Sequence, residues 1–254
     1  AKMLQVLRRE EIGKGSGFRR YCHLGTGNYH PRTTRLYTDF GLLTCHDQIN
    51  TDVNEVFKQL TGLGKANDLT HLWQAPFSLH ANTLAAIRAE TTSALAKRKA
   101  RIVAKINSLV EPEIIEALYA ASQAGVKIDL IVRGVCTLRP GVKGLSENIR
   151  LRSIVGRFLE HSRIFYFHAE GLEKVYLSSA DWMERNFFRR IEICFPILEP
   201  KLKRRIINEG LKPYLKDNTQ AWEMDGSGDY RIGSSRRTRS CAQEILLVDL
   251  AAQT

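Results

Sequence analysis

Three observations predict an α/β protein built on mixed sheets. Segments 101–106 and 128–132 read as strands flanking a helical pattern that begins at Pro112 and stops at Gly125. Segments 163–168 and 174–178 read as an antiparallel pair joined by Ala169-Glu170-Gly171-Leu172, and two further segments share one plan, a strand followed by small residues and a polar side chain. Strand, helix, strand between residues 101 and 132 implies a parallel pair, because the crossover helix returns the chain in the same direction.

Taken in order, residues 3–8 and 18–24 are strand-like runs around Gly13-Lys14-Gly15-Ser16-Gly17, predicted as the loop of a hairpin. A phosphate-cradling Walker loop fails on order, since Lys14 sits early and a strand rather than a helix follows. Residues 51–61 place Asp52, Val53, Val56, Phe57 and Leu60 at helical spacing, with Thr51 or Asp52 as cap. Gly62-Leu63-Gly64-Lys65-Ala66-Asn67-Asp68 interrupts that pattern and marks a linker, with a domain boundary near residue 71. Leu84, Ile87, Thr91 and Leu95 line a helix that ends in Lys97-Arg98-Lys99, where cations suit the helix dipole. Pro112 stands at the first helical position, Ile114, Leu118 and Ala121 share a face, and Gly125 closes the helix. Arg133 follows the strand 128–132, which puts a cation beyond a strand's carboxyl end, where such sheets bind ligands. A strand over 191–197 and a helix over 200–215 with basic residues Lys201, Lys203, Arg204 and Arg205 complete the pattern. Residues 216–254 are polar, with Arg236-Arg237-Thr238-Arg239 exposed, and then apolar over 245–250; they receive no assignment.

The chain has 254 residues with 38 Lys+Arg against 27 Asp+Glu, a net charge of +11 that fits a polyanion or an anionic surface as partner. Hydrophobic residues at 43% and charged ones at 26% are ordinary globular values, which excludes a disordered or coiled-coil chain. No apolar run approaches the roughly 20 residues of a membrane span, and the first residues given do not resemble a signal peptide. Cys22, Cys45, Cys136, Cys194 and Cys241 include no C-x-x-C pair, and their odd number argues for reduced, buried thiols in a cytoplasmic protein. The chain begins at Ala1-Lys2 and is strand-like at once, as expected of a piece of a longer protein.

The first segment of the shared plan is His23-Leu24-Gly25-Thr26-Gly27-Asn28. The second is Leu177-Ser178-Ser179-Ala180-Asp181-Trp182-Met183, with Glu192 eleven residues after Asp181. Small residues at such turns let backbone N–H groups approach an anion. Glu160-His161-Ser162-Arg163 precedes the second segment, and a histidine with a cation two residues on would pair a proton donor or nucleophile with a phosphate-binding charge. A satisfied interface histidine beside a surface arginine is the plainer alternative. The remaining histidines show no metal-ligand spacing, and no G-x-S-x-G elbow occurs.

These segments, with Thr34-Arg35-Leu36-Tyr37-Thr38-Asp39 and Arg157-Phe158-Leu159-Glu160-His161-Ser162-Arg163, closely resemble the polyphosphate kinase family over residues 1 to about 215. The resemblance implies two related domains of phospholipase-D-like fold, the first only partly present: residues 1–71 as its rear part, 72–215 as the second, and 216–254 as a tail. It implies reversible transfer of the ATP γ-phosphate to inorganic polyphosphate through a phosphohistidine in a His-Ala-Lys motif. That motif would place the phosphorylated histidine immediately before Ala1, so the isolated chain is expected to be inactive. His161 matches the second motif histidine, Arg163 its cation, and Glu192 a carboxylate near that histidine; Tyr37, Arg133 and His161 match positions used for ATP. Lys2, Asn28 and Asp181 match supporting motif positions. The resemblance further implies Mg²⁺ held by residues outside this chain, with no metal ligand in it, a homo-oligomeric parent, and a cytoplasmic protein that can sit peripherally at the inner membrane surface. The alternatives are a phospholipase-D-type phosphodiesterase or nuclease, which shares the paired histidine and cation, and a basic nucleic-acid-binding module, for which no motif appears.

Overall fold

Backbone ladders sort the strands of the computed structural model into two sheets and one short bridge between them. The structure describes residues 1–12, 15–62, 68–232 and 238–252. The first part of the chain supplies β1 (Met3–Ile12), β2 (Gly15–Gly25), β3 (Tyr37–Thr38), β4 (Gly41–Thr44) and α1 (Asp47–Leu60). The second supplies β5 (Trp73–Ala75), α2 (Leu79–Leu95), β6 (Arg101–Ile106), α3 (Pro112–Gln123), β7 (Lys127–Val132), β8 (Ile149–Ile154), β9 (Leu159–Glu160), β10 (Arg163–Phe167), β11 (Lys174–Ser178) and β12 (Glu192–Pro196). It ends with α4 (Pro200–Ile206), a π-helical turn (Ile207–Leu211), α5 (Lys212–Lys216), β13 (Ala221–Met224), β14 (Tyr230–Ile232) and α6 (Ala242–Ala251).

The small sheet runs β1-β2-β4 and is antiparallel; the large one runs β14-β13-β8-β7-β6-β10-β11-β12-β5. Within it β6, β7 and β8 are parallel, and the other pairings are antiparallel. The expected α/β architecture and the parallel pair around α3 are therefore present. Helix α3 starts where Glu111 accepts a hydrogen bond from the Ile114 N–H, with Pro112 next, and it ends at Gly125, whose φ of 96° suits a residue without Cβ. One face of the large sheet packs on α2 and α3 through Ile87, Ile114, Leu118, Phe165 and Phe167. The other packs on α1, α4, α5 and the small sheet through Val53, Ile164, Leu177, Phe195, Ile206 and Tyr214. Gly210 in the π-helical turn lies so close to Ile164 Cδ1 and the Phe40 ring that an added Cβ would displace those side chains, so glycine suits the close packing of this segment on the sheet.

Several expectations change. Gly15, Ser16 and Gly17 are not loop residues; they pair with Ile12, Glu11 and Glu10 in the ladder, while Gly13 and Lys14 lie outside the described residues. Residues 63–67 of the expected linker and Arg236-Arg237 of the basic tail also lie outside them. Helix α1 begins at Asp47 with His46 at its cap rather than at Thr51 or Asp52. Asp52 is instead buried, and its carboxylate accepts from the backbone N–H groups of Thr70, His71 and Leu72 at 3.1, 2.6 and 2.8 Å. It ties α1 to the start of the second half. In the unassigned segment after residue 215, β13 extends the large sheet beside β8, and α6 packs against its inner face through Ala242.

The bridge is a two-residue parallel ladder between β3 and β9, pairing Tyr37 with Leu159 and Thr38 with Glu160. Glu160 is buried and accepts from Lys105 Nζ and Thr38 Oγ1, both at 2.7 Å, and from Gln243 Nε2 at 2.6 Å. Lys105 Nζ also sits 3.5 Å from the centroid of the Tyr214 ring. Burial alone would push the Glu160 carboxyl up, but the Lys105 charge and hydrogen bond, aided by Gln243 and Thr38, hold it below its ordinary value.

Two outcomes follow from these buried carboxylates. Asp52→Ala leaves three backbone donors without their acceptor and is expected to cost about 3 kcal/mol of stability in a urea titration. Because Glu160 titrates lower folded than unfolded, its contribution is complete above the ordinary value of 4.5 and is lost as pH falls through the lowered one. Stability measured against pH is expected to fall less steeply below pH 4.5 in Glu160→Gln than in the wild type.

Candidate active site

The two halves repeat one another in register. In the first, Met3 pairs with Leu24, Leu24 with Leu42 and Gly25 with Gly41; in the second, Ile164 pairs with Leu177, Leu177 with Phe195 and Ser178 with Cys194. This alignment matches Lys2 with Arg163, Thr26 with Ser179, Asn28 with Asp181 and Asp39 with Glu192. Side-chain hydrogen bonds obey it. The Thr26 hydroxyl donates to Asp39 at 2.7 Å and accepts from the Phe40 N–H; the Ser179 hydroxyl donates to Glu192 and accepts from the Ile193 N–H. Lys2 Nζ donates to the Ser179 carbonyl of the opposite half at 3.3 Å, and Arg163 Nη1 to the Thr26 carbonyl, also at 3.3 Å. The halves thus face each other about a pseudo-twofold axis, each reaching into the other's turn.

His161 sits at this meeting point. Its Nδ1 lies 2.9 and 3.1 Å from the two Asp39 carboxylate oxygens, and Arg163 Nη1 lies 3.0 Å from its Nε2. The tautomer that satisfies both contacts carries the proton on Nδ1, donates it to Asp39 and accepts at Nε2. The resemblance placed Glu192 beside this histidine, and the structure corrects that: the carboxylate on His161 is Asp39, from the other half. Glu192, buried, accepts from Ser179 and from Asn186 Nδ2 at 3.1 Å, and lies 3.5 Å from the Ala1 nitrogen. Asp39 was not singled out from the sequence, yet a signal existed, since it follows Asn28 by the same eleven positions that separate Glu192 from Asp181. Gly27 permits the arrangement, because a Cβ there would overlap the Asp39 carboxylate.

The matched cations differ in their freedom. Arg163 is 6% exposed, and its Nε and Nη2 donate to the two Asp181 oxygens at 3.2 and 3.1 Å. Its bidentate fork is directed at a carboxylate within the protein rather than at a ligand, which makes it an anchor for His161. At the position of Asp181 the first half has Asn28, neutral and exposed, so Lys2 has no such locked partner. Burial pulls the Lys2 ammonium below its ordinary value; Glu192 opposes this, and the Arg163 guanidinium adds to it.

Arg133 extends from the end of β7 and donates through Nε to Asn107 Oδ1 at 3.1 Å, and the Asn107 N–H donates to Asp181 at 2.8 Å, so it joins the same network. Tyr37 stacks obliquely on His161 with ring centroids 4.9 Å apart. It also lines two cavities. One, of about 250 Å³, includes Asn28, His23 and Asp39. The other, of about 720 Å³, has apolar walls including Leu42, Leu177 and Leu246, with Asp39 and Ser162 among its polar residues. The Ser162 hydroxyl is buried without a partner. Among the described residues no group of three or more His, Cys, Asp or Glu could hold a metal ion. The cysteines are free thiols, and burial raises Cys22 to about 11, which keeps it protonated and unreactive.

Comparison with known proteins gives this geometry its context. Residues 1–66 match the family described as polyphosphate kinase C-terminal domain 1, and residues 72–243 match polyphosphate kinase C-terminal domain 2. The polyphosphate kinase of Burkholderia ambifaria is 61% identical over 247 residues, covering 97% of this chain and 36% of the relative. That of Burkholderia cenocepacia is 62% identical over 248 residues, with the same coverage. The crystal structure of polyphosphate kinase from Porphyromonas gingivalis superposes with a TM-score of 0.91 at 35% identity, covering 99% of this chain and 38% of that one. The chain therefore spans about a third of the length of the relatives it matches. With both halves accounted for, the chain belongs to the polyphosphate kinase family, across its two C-terminal domains.

Proposed function

We propose that this chain forms the catalytic part of an enzyme that reversibly transfers the ATP γ-phosphate to inorganic polyphosphate through a phosphohistidine. The observation that carries the reading is the crossed pairing of carboxylate and histidine at the pseudo-twofold axis. Asp39 of one half holds His161 of the other; by the same alignment Glu192 is the carboxylate for the residue before Ala1, where the family's His-Ala-Lys motif places its histidine. The Ala1 nitrogen already lies beside Glu192. A carboxylate on one ring nitrogen fixes the tautomer and leaves the other nitrogen for chemistry.

In the first step the unprotonated nitrogen of the motif histidine forms a bond to the γ-phosphorus while the bridging bond to ADP breaks, and ADP leaves with that electron pair. In the second, a terminal oxygen of polyphosphate attacks the phosphorus, the P–N bond breaks, and the chain is longer by one phosphate. His161, its ring held by Asp39 and Arg163, is the electrostatic partner of the transferred group's oxygens. Lys2 and Asn28, without a locked carboxylate between them, face the transferred group, Arg133 contributes a second cation, and Tyr37 lines the cavities beside His161 where the nucleotide is held.

Asp39, Asp181 and Glu192 each face donors of their own, so the described residues do not fit a resident Mg²⁺. Lys2, Arg133 and Arg163 are matched by three carboxylates, and Arg35 and Arg205 line the larger cavity, where they offer further positive charge to a triphosphate.

Two substitutions in the intact enzyme test this. His161→Ala is expected to reduce polyphosphate synthesis from γ-labelled ATP by roughly 100-fold or more, with the fold retained by circular dichroism; wild-type rates would remove its role. Arg133→Ala loses a charge-assisted hydrogen bond of about 1.5–3 kcal/mol and is expected to raise the apparent KM for ATP tenfold or more. An unchanged KM would move Arg133 out of the nucleotide site.

A further inference from the structure

We infer that Glu160 is a positioning residue for the His161–Asp39 pair, and that the C-terminal helix α6 acts on the reaction through it. The inference rests on the reading just given for what that pair does. Among the described residues, the β3–β9 ladder is the one strand pairing that joins the two halves, and it is two residues long. Asp39 follows Thr38 directly and His161 follows Glu160 directly, so the reacting pair lies one peptide step beyond the ladder on each strand. A change in how Thr38 meets Glu160 is passed to how Asp39 meets His161.

So short a ladder does not fix a side-chain geometry by itself. Glu160 adds the missing constraint with three hydrogen bonds from three separate segments: Thr38 of the first half, Lys105 of the large sheet and Gln243 of α6. Gln243 grips the same strand a second way, donating to the Phe158 carbonyl at 2.8 Å and accepting from the Phe158 N–H at 3.0 Å. Helix α6 is anchored in turn where its Ala242 N–H donates to Asp217 at 2.7 Å. Glu160, Lys105 and Gln243 are each at most 3% exposed, so no water competes for these bonds. Glu160 makes no hydrogen bond to the His161 ring, and neighbouring residues of a strand point to opposite faces, which separates a positioning role from a chemical one.

The test uses isosteric changes in the intact enzyme. Thr38→Val keeps the shape and removes the hydroxyl, and with it both the bond to Glu160 and a 3.4 Å contact from the His161 N–H, whereas Thr38→Ser keeps the hydroxyl. The expected result is a tenfold or greater fall in kcat for Thr38→Val with the KM for ATP within twofold of wild type, and recovery of most of that loss in Thr38→Ser. Gln243→Met, which removes all three amide hydrogen bonds to Phe158 and Glu160 and leaves Thr38 in place, is expected to lower kcat in the same way and serves where Thr38→Val fails to fold. A second readout does not depend on turnover: the imidazole ¹⁵N and ¹H signals of His161 are expected to shift in Thr38→Val and stay in place in Thr38→Ser. Unchanged kcat and unchanged imidazole signals in Thr38→Val, or equal losses in Val and Ser variants, would overturn the inference. A wild-type enzyme that makes no polyphosphate from ATP, with the imidazole signal still following Thr38, would remove the functional reading and uphold the positioning role.

Discussion

The hydrogen bond from His161 to Asp39 crosses from one half of the molecule to the other, and the rest of the architecture can be read as what that crossing requires. The two halves must meet with their strand ends aligned, so the inner face of the large sheet is apolar and packs against α1 and the small sheet through Val53, Ile164, Leu177 and Phe195. The turns must be narrow, which explains Gly27 against Asp39 and the small residues Ser179 and Ala180 in the matching turn. A helix must come close behind the sheet, which explains Gly210. At Gly27 and Gly210 a side chain of a neighbouring segment occupies the space a Cβ would take.

Much of the fold was legible because local chemistry and tertiary context agree there. Pro112 and Gly125 bound α3 from the sequence, and the parallel pair follows from the spacing around it. Where tertiary contacts win, the reading slipped. Asp52 has the composition of a cap, but its carboxylate satisfies three N–H groups eighteen to twenty residues away, which no local pattern encodes. Gly15-Ser16-Gly17 looks like loop and is strand, because cross-strand partners were already committed by the longer run of β1. The short strands β3 and β9 carry no periodicity at all.

The site shows the same division. His161 and Arg163 stood out by residue type, and the repeat between residues 23–28 and 177–181 was visible. The resemblance implies Glu192, of the same half, as the carboxylate near His161, whereas the pseudo-twofold exchanges the carboxylates and puts Asp39 there. Arg163 illustrates a related point: a guanidinium near a phosphate-type motif reads as a ligand, but its bidentate contact with Asp181 turns it inward. Substitution of Asp181 by Asn28 in the other half shows how a duplicated unit diverges with one polar exchange, one copy keeping its cation bound and the other leaving it available.

Under the proposed function, the balance of Lys2, Arg133 and Arg163 against Asp39, Asp181 and Glu192 also bears on how a polyanionic substrate is first captured. A centre with equal numbers of opposite charges casts little field beyond its own rim, while the excess of +11 resides elsewhere on the chain. Long-range attraction is thus assigned to the periphery and recognition to the interior. Raising ionic strength, which screens over about 10 Å at 0.1 M, should then slow encounter far more than it loosens what is already seated.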